Sequence, residues 1–235
     1  MADNQVLIIT GTRKGLGLEL SEYYLSLGNT VIGCSRGPSS IENENYQHYE
    51  LDVSNEKQVI NLVRSVKAAH GNVDVLINNA GTAAMNHFLT TPYKRAKEIY
   101  NTNFFGTFLF SREVAKIMIK ARKGTIINFT TVAVPLNLAG EAVYAASKAS
   151  VETLTKISAK ELGEFGIRVN AIGPTPIKTD LIKGIPKEKL EELINEQAIK
   201  RFGNIKDVIN TIEYLIDPAS EFITGQTIYL GGIFD

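Results

Sequence analysis

The sequence predicts an α/β protein built on a doubly wound, mainly parallel sheet of seven strands with helices on both faces. Three observations predict it. Short β-branched runs alternate with longer segments of helical spacing along the whole chain. The strands read as near-continuous apolar runs, as expected where both faces of a sheet are covered. The first strand also passes straight into a glycine-rich turn, Thr10-Gly11-Thr12-Arg13-Lys14-Gly15-Leu16-Gly17, that opens the first helix.

Residues 6–9 make strand one, and residues 16–27 have helical spacing that stops at Gly28, a residue suited to the left-handed close of a helix. Strand two covers 30–34, and strand three, with a weaker pattern, covers 46–51. Ser54 is placed to cap a helix that runs to about residue 69 and closes at Gly71. Strand four spans 73–77, one long helix 93–121, strand five 125–129, a second long helix 141–163 and strand six 167–172. Helices at about 187–199 and 205–216 precede strand seven at 227–230.

A chain of 235 residues suits one domain over 1–235, large enough to bury a core without disulfide or metal. The excursion at about 174–203, between strand six and the last helix, has the position of a substrate lid. Lys plus Arg and Asp plus Glu both total 25, which removes the electrostatic ground for nucleic acid or an acidic membrane as partner. Cys34 is the lone cysteine and fits a reducing compartment. The start is polar without a basic segment, and the apolar run 6–9 is far too short to span a membrane, so a cytoplasmic protein is expected. His48, His70 and His87 form no ligand pattern, and no metal is expected.

In the glycine-rich segment, Gly11 permits the tight turn, Gly15 admits a pyrophosphate against the backbone, and Gly17 lets helix pack closely on strand. The helix start offers free N–H groups and partial positive charge to phosphate. The bland alternative is a βα turn without a ligand. Asn78-Asn79-Ala80-Gly81 closes strand four with two amides able to stitch neighbouring strand ends. Asn103 sits inside the first long helix, where its side chain competes for backbone hydrogen bonds. Tyr144 and Lys148, at i and i+4, share one helix face. An ammonium beside a phenol favours the phenolate, which brings Tyr144 closer to working pH for acid–base chemistry.

Taken in order, T-G-x-x-x-G-x-G, Asn-Asn-Ala-Gly, Asn103 and Tyr144-x-x-x-Lys148 resemble the short-chain dehydrogenase/reductase family, in its short branch, from residue 6 to about 230. The resemblance implies a Rossmann-type fold, a nicotinamide cofactor, and hydride transfer to a carbonyl or from a secondary alcohol. It gives Tyr144 the proton transfer, Lys148 a second task on the nicotinamide ribose, and Asn103 a local loosening of its helix that holds a water in a proton relay. Thr131 stands where the family usually has Ser, thirteen residues before the Tyr; its hydroxyl can polarise the substrate oxygen while its methyl narrows the pocket.

The resemblance also implies a cofactor site. Gly11, Arg13, Lys14, Gly15, Leu16 and Gly17 surround the phosphates; Asp52 and Val53 meet adenine; Asn79, Ala80 and Gly81 face the adenosine ribose; Pro174, Ile177 and Thr179 meet the carboxamide. Thr175 replaces the usual Gly after Pro174, at the start of the lid. Strand two ends Cys34-Ser35-Arg36 with no carboxylate for ribose hydroxyls. Arg36, with Ser35, Arg13 and Lys14, instead suits a 2′-phosphate, so NADP is the expected cofactor.

Substrate information is thinner. The general resemblance is to 3-oxoacyl-(acyl-carrier-protein) reductases, including the ending Ile223-Thr224-Gly225-Gln226. Lys120, Arg122 and Lys123 can serve as basic residues for an acidic carrier, but the second basic position is Phe165. A small ketone or keto-sugar fits equally, and a cofactor-binding regulator that lost turnover is the non-enzymatic alternative. Met85 and His87 follow the Asn-Asn-Ala-Gly turn, in reach of the pocket, although a lone His is more often a surface or packing residue. The family's pairing of its two long helices implies a homo-oligomer, dimer or tetramer; Ala145, Ala146, Ala149 and Ser150 permit close approach, and apolar Gly232-Ile233-Phe234 is expected under a neighbouring subunit.

Overall fold

In the computed structural model, which describes residues 4–177 and 186–234, seven strands form one sheet. They are β1 (Val6–Thr10), β2 (Thr30–Ser35), β3 (Tyr46–Glu50), β4 (Val75–Asn78), β5 (Gly124–Phe129), β6 (Ile167–Gly173) and β7 (Thr227–Tyr229). Their spatial order is β3-β2-β1-β4-β5-β6-β7, and every neighbouring pair is parallel. The helices are α1 (Gly15–Ser26), α2 (Glu56–His70), α3 (Tyr93–Tyr100), α4 (Gly106–Ala121), α5 (Ala142–Leu162), α6 (Lys187–Glu196) and α7 (Ile205–Ile216).

The apolar strands are explained by two cores. Ile8, Ile32, Leu76 and Ile126 point to the face covered by α2 and α4, while Leu7, Ile9, Val31, Val75, Ile77 and Ile127 point to the face covered by α1 and α7. The chain builds outward from β1 to β3, then crosses back to place β4 on the other side of β1. The reversal between β1 and β4 opens a crevice at the strand ends, the usual ligand position in such sheets.

Three expectations change. The cap of α2 is Asn55, whose side chain accepts from Gln58 N, whereas Ser54 donates its hydroxyl to Asp52 Oδ1 at 2.7 Å. Asp52 also accepts from Ser54 N at 2.8 Å, and this local turn removes Ser54 from the helix end. The long helix 93–121 divides in two at the place where Asn103 is expected to loosen it: a π turn, Asn101–Phe105, separates α3 from α4. Asn103 supplies the reason, because its amide pairs with the backbone of Thr82 instead of lying on the helix surface. Finally, α6 ends at Glu196 because Gln197 turns extended. No helix among the described residues is long and apolar enough to cross a membrane.

The expected amide stitching is present. Asn78 Nδ2 donates to Asn128 Oδ1 at 2.8 Å and to Ser111 Oγ at 2.9 Å, and Asn128 Nδ2 donates to Thr155 Oγ1 at 2.8 Å. All are buried. Replacing Asn128 with Leu would leave the Asn78 amide short of its acceptor, and a loss of about 1–3 kcal/mol is expected in urea unfolding.

Candidate active site

A cavity of ≈740 Å³ opens at the carboxyl ends of β1, β4, β5 and β6. It collects residues that are far apart in sequence. One end is lined by Gly11, Arg13, Lys14, Gly15, Leu16, Gly17, Ser35, Arg36, Asp52, Val53, Asn79, Ala80 and Gly81. Thr131, Tyr144, Lys148, Pro174 and Ile177 line its middle. Thr179 lies outside the described residues.

The glycine-rich turn is tied to β2 by Gly11 N and Thr12 N, which donate to Cys34 O at 2.8 and 3.2 Å. Gly11 has φ +78°, a conformation L side chains resist. A Cβ on Gly17 would lie 2.2 Å from Gly11 O, so this helix–strand approach tolerates no side chain. The start of α1 carries no side-chain cap, leaving its first N–H groups directed at the cavity end that Arg13, Lys14 and Arg36 line. Asn79 Nδ2 donates to Thr10 O at 2.9 Å, and Ala80 N donates to Thr10 Oγ1 at 2.9 Å, joining β4 to β1 across the crevice. This bare, positively charged cradle fits a dinucleotide.

At the other end, Asn103 is fully buried behind the cavity wall. Its Oδ1 accepts from Thr82 N at 2.8 Å, and its Nδ2 donates to Thr82 O and Ser147 Oγ, both at 3.0 Å. Both ends of the amide are therefore engaged with protein. Lys148 is buried, and its Nζ donates to Phe129 O at 2.7 Å. Burial holds its pKa down at about 8.

Tyr144 departs from expectation. Its phenol is pushed up to about 12, first by burial and then by the nearby Glu141 charge, while the Thr131 hydroxyl acts to lower it. Lys148 is not among the groups that shift this phenol; its ammonium donates to the Phe129 carbonyl. Thr131 Oγ1 also accepts from Ala133 N at 3.2 Å, which orients the hydroxyl beside the phenol.

Other expectations resolve individually. Met85 lines the cavity, and His87 takes the surface position favoured for a lone His: it is exposed, and its Nδ1 accepts from Leu89 N at the start of a short helical turn. Thr175 is buried, with Gly203 and Gly231 leaving room for its side chain. Ile233 packs against Val132 and Leu193 of its own chain, so only Phe234 of the apolar ending stays largely exposed.

Several participants escaped the sequence reading. His48, expected to have no partner, takes a hydrogen bond with Tyr46 OH at 2.8 Å through Nδ1 and reaches Gly37 O at 3.0 Å and Ser35 Oγ at 3.1 Å through Nε2. Tyr46 OH also reaches Thr12 Oγ1 at 2.9 Å. The register gives the reason: His48 pairs with Gly33, whose missing side chain lets the Tyr46 hydroxyl cross β2 to the glycine-rich turn. Glu152 accepts from Thr130 Oγ1 and from Tyr229 OH, fixing α5 to the ends of β5 and β7. Its signal was the spacing of Tyr144, Lys148 and Glu152 on one helix face. Glu141, buried at the head of α5, lines the cavity as well.

A parallel sheet with this crevice, and a tyrosine and lysine one turn apart on its wall, defines a nucleotide-cofactor oxidoreductase. A family model described as enoyl-(acyl carrier protein) reductase matches residues 11–232, and the chain belongs to the short-chain dehydrogenase/reductase family. It is similar to the 3-oxoacyl-(acyl-carrier-protein) reductase FabG of Staphylococcus epidermidis, 30% identical, with 97% of this chain and 98% of the relative covered. Among solved structures, it resembles 4-hydroxyisoleucine dehydrogenase complexed with NADH, at 30% identity and TM-score 0.85, over 97% of this chain and 98% of that one. It also resembles ElxO with NADP bound, at 29% identity and TM-score 0.88, over 97% of both chains.

The buried lysine has a consequence for stability without cofactor. Between about pH 8 and the ordinary 10.5, the unfolded chain binds more protons at Lys148 than the folded one, so this group's contribution rises with pH across that window and is lost as pH falls through 8. A Lys148→Met variant is expected to melt above the parent below pH 8, with the advantage shrinking toward pH 10.5. Tyr144 acts in the opposite sense only above pH 10, in both proteins. A pH series of thermal melts checks the sign.

Proposed function

We propose that this chain is an NADP(H)-dependent oxidoreductase that reduces a carbonyl to a secondary alcohol, with Tyr144 as the acid. The carrying observation is the convergence of Thr131, Tyr144 and Lys148 in one cavity whose far end is lined by Arg13, Lys14 and Arg36. The cofactor supplies or accepts the hydride when bound. Gly11, Gly15, Leu16 and Gly17 would hold its phosphates; Asp52, Val53, Asn79, Ala80 and Gly81 its adenosine half; Pro174, Ile177 and Thr179 its carboxamide. Lys148 would turn from Phe129 O to the ribose hydroxyls.

Thr131 donates to the substrate oxygen and Tyr144 transfers its proton there as the carbon gains a hydride, so that C=O becomes CH–OH. A phenol held at about 12 without cofactor is protonated at neutral pH and so carries the proton that reduction consumes; the charge of bound cofactor and of Lys148 would bring it nearer the working pH. Alcohol oxidation needs the phenolate and therefore the nearby cation of Lys148 and of oxidised nicotinamide. Asn103 acts from behind, holding the loop at Thr82 and the α5 face at Ser147.

Support for NADP over NAD is the absence of a carboxylate at the end of β2 and the placement of Ser35 and Arg36 on the cavity. Among acidic residues, Asp52 is already engaged with Ser54. For the substrate, relatives named as 3-oxoacyl-(acyl-carrier-protein) reductases support a 3-oxoacyl thioester, while Phe165 in place of a second basic residue weighs toward a small ketone or keto-sugar. The reading includes a lid over about 174–203, to which α6 contributes Leu190 and Leu193 on the cavity. It also includes a cytoplasmic location, supported by the lone buried Cys34, and association of copies through the small residues of α5.

NADPH is expected to bind more tightly than NADH, and Arg36→Ala to lose about 1.5–3 kcal/mol for NADPH alone; titration by cofactor fluorescence decides, and a preference for NADH overturns the assignment. Tyr144→Phe is expected to lower kcat by roughly 10²–10⁴ while cofactor affinity holds. Steady-state NADPH oxidation over thioesters, ketones and keto-sugars measures this. Cofactor binding without turnover across the panel would favour a regulatory protein instead.

A further inference from the structure

The substrate half of the cavity holds a carboxylate that the proton-transfer scheme does not use. Glu141 is 9% exposed, yet it lines the cavity beside Met85, Leu138 and Tyr144. Its backbone is fixed: its N donates to Leu138 O at 3.2 Å, and its O accepts from Ala145 N at 2.7 Å. Its carboxylate makes no hydrogen bond or ion pair among the described residues, and burial raises its pKa. A partly desolvated carboxyl on a cavity wall, without a protein donor, is stabilised by any donor that enters the cavity and meets it.

The charge pattern narrows what meets it. The cofactor end is cationic, with Arg13, Lys14 and Arg36, whereas the described residues at the other end include Glu141, Glu192 and Glu196. Lys189, also there, pairs with Glu192 at 2.7 Å, so the two cancel and Glu141 and Glu196 stand against the buried Lys148. This end therefore has no excess of cations to draw in an anionic substrate such as a keto acid. An unsubstituted acyl chain offers Glu141 nothing to accept from. Glu141 stands at the start of α5, and its charge acts on the Tyr144 phenol, so the two groups are near neighbours on the cavity wall. A group that meets Glu141 while its carbonyl meets Tyr144 therefore lies close to the reacting carbon.

We propose that Glu141 is a substrate-binding residue whose carboxylate accepts a hydrogen bond from a hydroxyl group close to the reacting carbonyl, so that the enzyme selects neutral hydroxyketones over plain ketones, acyl thioesters and keto acids. This deepens, and rests on, the carbonyl-reductase reading. The hydroxyl carbon is not oxidised; it anchors the substrate in the orientation that Tyr144 requires.

The test compares hydroxyacetone with butanone, a matched ketone without the hydroxyl, in the full-length protein with NADPH. Aminoacetone, pyruvate and an acetoacetyl thioester complete the set. Wild type is expected to favour hydroxyacetone in kcat/KM by about tenfold or more. Glu141→Leu should erase that ratio, and Glu141→Gln, which keeps an acceptor oxygen, should retain part of it. NADPH affinity checks that both variants keep the cofactor site. Equal hydroxyacetone-to-butanone ratios in wild type and Glu141→Leu overturn the proposal. So does a wild-type preference for the thioester or for pyruvate, and a preference for aminoacetone reassigns the carboxylate to an ammonium group.

A second measurement separates this inference from the parent reading. Ligand-observed NMR compares 1,2-propanediol with 1-propanol as a non-reacting probe pair. Selective diol binding that Glu141→Leu abolishes supports the proposal even if no carbonyl turns over, in which case only the reductase reading fails. Equal binding of the two alcohols to wild type, or diol selectivity that survives in Glu141→Leu, overturns the proposal whatever the turnover.

Discussion

The site rests on how the strand ends are closed around the reversal between β1 and β4. Diverging chain segments there leave backbone groups that no helix or neighbouring strand can pair. Asn79 meets Thr10 O, and the Thr10 hydroxyl in turn meets Ala80 N, both at 2.9 Å. One register step deeper, Asn78 and Asn128 lie opposite each other in the β4–β5 pair and bond side chain to side chain. These amides let a crevice exist without orphaned polar groups, which in a sheet interior would cost more than the crevice is worth. The glycine-rich turn can then present bare backbone, and α5 can bring its reactive face to the opposite wall.

That wall is organised by charge. Tyr144 lies between a lysine one turn later and a glutamate just before the helix; burial and the glutamate's charge both raise the phenol, and burial lowers the lysine. Without cofactor the lysine faces the Phe129 carbonyl, and the phenol stays firmly protonated. Glu152 continues the same face one turn further, but it works structurally, clasping Thr130 and Tyr229. The single helix α5 thus carries four polar residues with different tasks, separated by regular spacing and distinguished by what each touches.

Most of the fold was legible in the chain because parallel strands buried on both faces leave a strong signal. All seven strands and their helices were read, with boundaries shifted by a few residues. The motif residues of the cofactor end also came together, since glycine spacing after a strand has few other physical uses. What was not legible depended on pairings between distant segments. The loosening at Asn103 is expected from the sequence, but the contacts with Thr82 and Ser147 that turn it into a full break at Asn101–Phe105 are not revealed by helical periodicity. The cap at Asn55 in place of Ser54 turned on a competing carboxylate two residues earlier. His48 looked solitary because its partners, Tyr46, Ser35 and Gly37, meet it only through the β2–β3 register. The pKa of Tyr144 was misjudged in direction because sequence gives the lysine's spacing but neither its rotamer nor the depth of burial.

The π turn has a bearing on how this chain can change over evolutionary time. A π turn amounts to one residue more than an α-helix would use over the same span, and it advances everything after it by roughly a quarter turn of helix. Losing any one residue from Asn101–Phe105 would let α3 and α4 merge into one straight rod. It would also rotate the α4 core residues Phe110, Val114 and Met118 away from the sheet or, if they held their place, swing α3 with Arg95 off the loop it grips at Thr82 and Ala83. Length in this segment is therefore less free than composition: substitutions at its exposed positions can accumulate, while a gap of one codon would cut the link between the core and the wall of the site.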